Sequence, residues 1–278
     1  MAEPIDEHFI TTVSAIRGSA VERSHDDALR DGSSLTAGQC LALFDAQLGS
    51  RHLDLAARWL RSAGKGYYTI GSSGHEGNAA VAAALRLTDP ALLHYRSGGF
   101  FLARAAQAGG RDPLRDVLLG LVATTEEPIA GGRHKVFGRH DLNIIPQTST
   151  IASHLPRAVG VAFSIARTRK LGVACPWPDD AITVCSFGDA SVNHSTAVGA
   201  INAALHSAYQ GVPMPLLFVC EDNGIGISVK TPRGWIEHTY GKRDGLRYFD
   251  ADGSDLAATF DAAAAAASWV RAHRRPAF

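Results

Sequence analysis

From Ala37 to about Ala63, Leu41, Phe44, Leu48, Leu55, Trp59 and Leu60 recur mostly at helical intervals, which predicts an amphipathic helix capped by Thr36. The tract KGYYTIGSSGHEG breaks that rhythm. His75 to Leu87 (HEGNAAVAAALRL) reads as an Ala-rich helix stopped by Thr88-Asp89-Pro90, and Ala91–Tyr95 as a short apolar run. Residues 99–123 are helical in pattern with a break at Asp112-Pro113. Helix resumes near Ser153, runs to Leu171 and ends at the turn CPWPDD.

The pattern then changes. Ala181–Phe187 (AITVCSF) is β-prone, Gly188–Asn193 (GDASVN) a tight polar turn, Ser195–Gln210 an Ala-rich helix and Pro215–Glu221 (PLLFVCE) a second apolar run. This is a strand–turn–helix–strand unit, expected to be parallel with a right-handed crossover. A polar segment to about residue 250 and a helix at Asp255–His273 complete the chain. Residues 1–36 read as a loosely attached polar leader, and 37–278 as one α/β domain with a parallel sheet flanked by helices. Residues 124–150 are rich in Gly, Pro, His and basic side chains, and a loop that long inside a compact chain is usually functional or mobile.

Composition narrows the classes. The 278 residues suffice for one large domain or two small ones. With 27 Lys+Arg against 27 Asp+Glu the chain has no general field for nucleic acid or an acidic membrane, so phosphate recognition has to be local. No stretch approaches the ~18–20 apolar residues of a membrane span, and MAEPIDEHFITT lacks the blocks of a signal peptide, so the expected location is cytoplasmic. Cys40, Cys175, Cys185 and Cys220 show no CxxC pair and read as small buried apolar residues.

Ligands of a doubly wound sheet collect at the carboxyl ends of its strands. There Gly188 allows close backbone approach, Asp189 offers a hard carboxylate oxygen, and Asn193 and Asn223 offer amide oxygens. Asp189 and Asn223 stand one crossover apart, and parallel neighbours lie about 4.8 Å apart, so both can reach one cation, with Mg²⁺ beside a diphosphate the natural occupant. Either turn alone is ordinary turn chemistry; the pair at matched strand ends is what points to a site. Neither GxGxxG nor GxxxxGK[ST] is present, which argues against nicotinamide and nucleoside triphosphate loops.

GDASVN, the helix after it and Cys220–Ser228 (CEDNGIGIS) resemble the thiamine diphosphate motif of 2-oxo acid dehydrogenases. The likeness is to the alpha subunit or alpha half of the decarboxylating component, nearest the branched-chain type. Tyr68–Glu76 (YTIGSSGHE), His94–Gly99 (HYRSGG), Gly131–Arg133 (GGR) and Gln147–Gly160 (QTSTIASHLPRAVG) are similar to other blocks of that family, which together cover about residues 37–278.

The resemblance implies a thiamine diphosphate-binding fold with Asp189, Asn223 and the backbone carbonyl of Ile225 as Mg²⁺ ligands. It puts Tyr95 and Arg96 on the diphosphate, Gly188 and Ala190 on the phosphates through backbone N–H groups, and Ser149 and Ile151 beside the aminopyrimidine. His154 is a candidate acid or base at a position where relatives carry a different polar residue. No metal spacing links His75, His94 and His134, which therefore read as locally hydrogen-bonded residues and not zinc ligands. The implied chemistry is oxidative decarboxylation of a 2-oxo acid with acyl transfer to lipoyl groups. The implied partners are a beta-type subunit, which supplies the glutamate that activates the cofactor, and a lipoyl-bearing acyltransferase, in an oligomer whose site lies between chains.

Three features depart from the family pattern. Ala190 replaces a glycine and is tolerable only at negative φ; Asp222 replaces an asparagine; and relatives continue past Pro276-Ala277-Phe278 into a strand and a His-bearing loop, so the domain reads as incomplete at its C-terminus. An acetoin dehydrogenase-like or transketolase-like enzyme, or a non-catalytic binding subunit, are the other readings.

Overall fold

The computed structural model describes residues 4–18, 23–67, 71–110, 112–127, 129, 131–133 and 137–278. In chain order the helices before the sheet are α1 (Pro4–Ala15), α2 (Ala37–Ser62) and α3 (Asn78–Ala83). Strand β1 (Ala91–Leu92) leads to α4 (Gly98–Gln107), α5 (Pro113–Leu121) and α6 (Leu155–Leu171). Then follow β2 (Thr183–Gly188), α7 (Ser195–Tyr209), β3 (Leu216–Glu221), α8 (Trp235–Tyr240) and α9 (Leu256–His273).

Local chemistry sets the helix ends. Thr36 and Gln39 form a reciprocal capping box at the start of α2, whose buried residues Leu43, Ala46, Ser50, Leu53, Asp54 and Ala57 share one face. Asp112 caps α5 ahead of Pro113, Gly172 ends α6 at φ +63°, and Asp255 caps α9. A Cβ at Gly98 would overlap Ser50 Oγ, so the glycine lets α4 close on α2.

β2 is the centre of the sheet, buried at all six positions as a strand covered on both faces must be. It pairs in parallel with β1 (Ala91↔Val184) and β3 (Thr183↔Leu216 through Gly188↔Glu221). Isolated parallel bridges widen the sheet at both sides, Ala91↔Ile144 on one and Leu217↔Ala277 and Arg247↔Ala277 on the other. Alternation along the strands divides the core: Val184 and Leu217 face the layer holding Leu43, Phe100 and Val270, while Cys185, Phe187, Leu216 and Phe218 face Ala162, Ile201 and Tyr240. Phe278 belongs to the second layer, stacked on Tyr240 at 4.6 Å between centroids.

Four expectations need correction. The segment 1–36 is not loose where it is described: α1 forms, fully buried Asp6 pairs with Arg58 of α2, Leu35 is fully buried, and Ser34 bonds Asp261 of α9. A few of its polar residues, Asp6, Arg30 and Ser34, make docking contacts that composition does not reveal. The helix expected over His75–Leu87 is only Asn78–Ala83, because His75 and Glu76 sit in tight turns and the Asn78 side chain accepts from the Phe100 N–H. The short helix Trp235–Tyr240 interrupts the stretch read as polar, entered through Gly234 at φ +75°. Of the cysteines, only Cys185 is buried; Cys40, Cys175 and Cys220 are partly exposed, and all four are free.

Candidate cofactor and metal site

The carboxyl ends of the three strands bring together three short stretches: His94, Tyr95 and Arg96 after β1, Gly188, Asp189 and Ala190 at the end of β2, and Glu221, Asp222 and Asn223 at the end of β3. Their closeness is set by backbone. A Cβ at Gly188 would lie 3.4 Å from His94 Nε2, and one at Gly226 would lie 2.8 Å from Ala190 Cβ, so the loop after β3 is pressed on the turn after β2. Ala190 is absent from the residues of positive φ and so meets the condition its substitution for glycine imposes. Asp189 begins a 3₁₀ turn over Asp189–Asn193, anchored where Trp235 Nε1 donates to Asn193 Oδ1 at 2.8 Å.

Asp189 is buried, and its Oδ2 has no hydrogen-bond partner. Partial burial and, after it, the Asp189 carboxylate hold Asp222 above the usual carboxylate range, against the Gly224 N–H that donates to Asp222 Oδ1. Two carboxylates facing each other, one with an orphaned oxygen, form a site that favours a cation. Asn223 Oδ1 accepts from the Ile225 N–H at 3.1 Å, and Gly224 bends the loop at φ +73°.

Arg96 donates to the Gly71 carbonyl at 2.5 Å and lies over the Tyr95 ring, 5.3 Å from its centroid. Ser149 is half-buried and Ile151 is exposed on the turn into α6, where buried Ala152 takes φ +61°. That turn is tied to β2 by His154, whose Nε2 donates to the Ser186 carbonyl at 2.7 Å while Nδ1 is buried without a partner. His154 therefore acts on the strand backbone, and burial depresses its pKa to about 4, which makes it a weak base at neutral pH. His134 and residues 68–70 of the YTIGSSGHE block lie outside the described residues.

Two of the histidines that no sequence spacing links come together in the fold with a carboxylate. His75, His94 and Glu221 place one ligand atom each within 4.8 Å of one another. His75 Nδ1 donates to Glu221 Oε2 at 2.6 Å, and Asn223 Nδ2 faces His75 Nε2 at 3.2 Å, contacts that match a hydrogen on Nδ1 and an accepting Nε2. This chain fixes which way the Asn223 amide points. Asn78 and Ser97 complete the contacts of Glu221, and burial, which raises its pKa, is outweighed by the His75 hydrogen bond and the nearby histidine rings, so the carboxyl sits below its usual value. The residues come from two loops and a strand end far apart in sequence, and the one available signal was that glutamate ending an otherwise apolar strand. Beside Glu221 and Asn223 opens a cleft of about 550 Å³, walled by β3, α3, α9 and the 248–254 segment.

One consequence concerns acid stability. His154 binds a proton near pH 4 when folded and near 6.5 when unfolded, so between those values the unfolded chain carries more protons and stability falls as pH falls. About 3 kcal/mol should be lost across that window through this residue. Urea denaturation of His154→Gln, which keeps a donor for Ser186, should show a slope against pH shallower by about one proton; an unchanged slope would contradict the assignment.

Residues 46–278 match the family model described as the dehydrogenase E1 component. The mitochondrial 2-oxoisovalerate dehydrogenase subunit alpha 2 of Arabidopsis thaliana is 30% identical over 203 residues, covering 72% of this chain and 39% of that protein. The 2-oxoisovalerate dehydrogenase subunit alpha of Bacillus subtilis is 29% identical over 201 residues, 70% of this chain and 54% of that protein. The chain therefore spans about half or less of the length of these relatives. Among solved structures, a transketolase from Campylobacter jejuni superposes at a TM-score of 0.55 and 14% identity, over 85% of this chain and 37% of that one, which shows a shared fold. By the family match, the parallel sheet and the order of its strand-end loops, the chain belongs to the dehydrogenase E1 component family.

Proposed function

We propose that this chain is the alpha-type part of a thiamine diphosphate-dependent 2-oxo acid dehydrogenase, with branched-chain 2-oxo acids as the substrate class. The observation that carries the reading is the buried, unpartnered Asp189 carboxyl oxygen at the end of the central strand, one crossover from Asn223.

The donor set fits magnesium. Asp189, Asn223 and the Ile225 carbonyl are hard oxygen ligands, and Mg²⁺ is commonly held by one or two carboxylates with substrate phosphates completing its shell. Arg96 and Tyr95 would bind the diphosphate, Arg96 through its planar fork. The N–H groups of Gly188 and Ala190 would meet its oxygens, where the absence of a Cβ at Gly188 keeps the approach open. Ser149 and Ile151 would line the aminopyrimidine side. Thiamine diphosphate, when bound, supplies the electron sink that lets a 2-oxo acid lose CO₂. This chain's residues hold and orient it: Glu221 fixes the His75 tautomer, and His75 fixes the Asn223 amide. The proton-relay carboxylate would come from a beta-type partner, and the acyl group would pass to a lipoyl-bearing acyltransferase, so the isolated chain should be nearly inert.

The test is calorimetric titration with thiamine diphosphate of chain dialysed free of metal, with and without Mg²⁺, alone and co-purified with its beta-type partner. Saturable one-site binding that requires Mg²⁺ is expected, tighter with the partner. A folded complex that binds nothing, or binds equally without Mg²⁺, would overturn the reading.

A further inference from the structure

We infer that His75, His94 and Glu221 form a buried site for a transition-metal ion of the Zn²⁺ class, distinct from the oxygen site at Asp189. Two nitrogens and one carboxylate oxygen suit Zn²⁺, Co²⁺ or Ni²⁺ far better than Mg²⁺, which takes oxygen ligands. Ligand atoms of a four-coordinate zinc stand ~3.3 Å apart for bonds of about 2.0–2.1 Å. The trio brackets that spacing: His75 Nδ1 and Glu221 Oε2 are 2.6 Å apart, and the whole group spans no more than 4.8 Å.

His94 supplies the independent observation. It is 4% exposed, its Nδ1 is buried without a hydrogen-bond partner, and one of its ring nitrogens lies within 4.8 Å of the ligand atoms of His75 and Glu221. Buried polar atoms are nearly always satisfied, and a histidine with an orphaned nitrogen in a group of ligand-type side chains points to a missing partner. Ring–ring contact with His75 and Tyr95 holds the imidazole in place, at centroid distances of 5.4 and 4.1 Å. The surroundings of the carboxylate are those of a supported ligand, with Asn78 Nδ2 and Ser97 Oγ each 3.4 Å from a Glu221 oxygen. Three protein ligands leave the fourth position to water or a small molecule.

The balance is simple. The ion takes the place of the His75 Nδ1 proton, which passes by way of solvent to Nε2 so that the ring keeps one proton, and Glu221 neutralises one of the ion's two charges. No electron moves. His75 would then carry its proton on Nε2 and call for the oxygen of the Asn223 amide, so the two sites compete for that side chain.

The experiment is titration of the metal-free full chain with Co²⁺, read by visible absorption, and with Zn²⁺, read by calorimetry, the fold being checked by circular dichroism. One equivalent is expected, with the visible bands of four-coordinate nitrogen and oxygen ligation and no thiolate charge-transfer band. His94→Ala should weaken binding more than about 100-fold, beyond the 10–100-fold typical of a supporting residue. The isosteric Glu221→Gln should weaken it by at least about 10-fold. Asp189→Asn should leave it unchanged, which keeps this outcome separate from that of the magnesium site. Folded wild type that binds no Co²⁺, a thiolate band, binding undiminished in a folded Glu221→Gln or His94→Ala, or binding lost in Asp189→Asn would each overturn the proposal.

Discussion

Asp189→Asn is expected to lower the Mg²⁺-dependent affinity for thiamine diphosphate by more than about 100-fold while making the ligand-free chain more stable. The first effect follows from the donor set: an amide in place of the carboxylate removes a buried anionic oxygen that has no hydrogen-bond partner, and a loss of about 3 kcal/mol corresponds to such a factor. The second follows from the same atom. An unsatisfied buried polar atom costs about 1–3 kcal/mol, and the Asp189 carboxylate also raises its neighbour Asp222. An asparagine nitrogen can donate to Asp222 and relieve both. A gain of about 1 kcal/mol should raise the unfolding midpoint by roughly 2–4 °C in a chain of this size. Opposite signs in binding and stability are the signature of a residue kept for its ligand. Calorimetric titration and thermal unfolding of the two proteins provide the check, and binding retained in the variant would remove Asp189 from the metal site.

The parts of this site that lie next to one another in sequence were legible. Gly188 and Asp189 follow an apolar run directly, and Asn223 follows the next, so both polar turns are read at strand ends, and the parallel register puts those ends at one level. The helices with strong periodicity and local caps, α2, α6, α7 and α9, fall close to their expected bounds. What depends on tertiary placement was hidden. His75 looked like the start of a helix, His94 like a flank of a phosphate-binding arginine, and Glu221 like the last residue of a strand; only the packing of two loops on that strand end makes them a cluster. Polar docking hid the role of the first 36 residues for the same reason, since Asp6 and Ser34 find partners on α2 and α9 that no local pattern announces. His154 shows the converse case: a histidine that invited a chemical role is committed to a strand carbonyl.

The largest loss of stability is expected from Asp89→Ala, a residue that sequence reads only as part of a helix-stopping turn. Asp89 is fully buried and grips Arg271 of α9 through both oxygens, with Nη1–Oδ1 at 3.1 Å and Nη2–Oδ2 at 2.7 Å. The same carboxylate accepts from the backbone N–H groups of Ile182 and Arg86, each at 3.0 Å, and its carbonyl accepts from buried Arg104 at 2.8 Å. One side chain thereby joins the entrances to β1 and β2 to the last helix. Removing it leaves the Arg271 guanidinium without its counter-charge, holding only the Asp180 carbonyl at 2.7 Å, and two N–H groups without partners, and breaking a buried pair from one side costs about 3–5 kcal/mol. The midpoint of urea unfolding should fall accordingly at unchanged m-value. Arg271→Met should cost less, because Asp89 keeps its two backbone donors and an apolar chain fills the space. The amino ends of the strands, where Asp89 acts, are opposite the carboxyl ends that bear Asp189 and Asn223. Thiamine diphosphate affinity, measured well below the unfolding midpoint, should therefore stay within about threefold of wild type, a difference under 1 kcal/mol. Asp89→Ala and Asp189→Asn then move stability and binding in opposite combinations. A variant at Asp89 that kept full stability would show that the Arg271 clamp carries no net energy, and one that lost binding while folded would show that the two ends of the sheet are coupled.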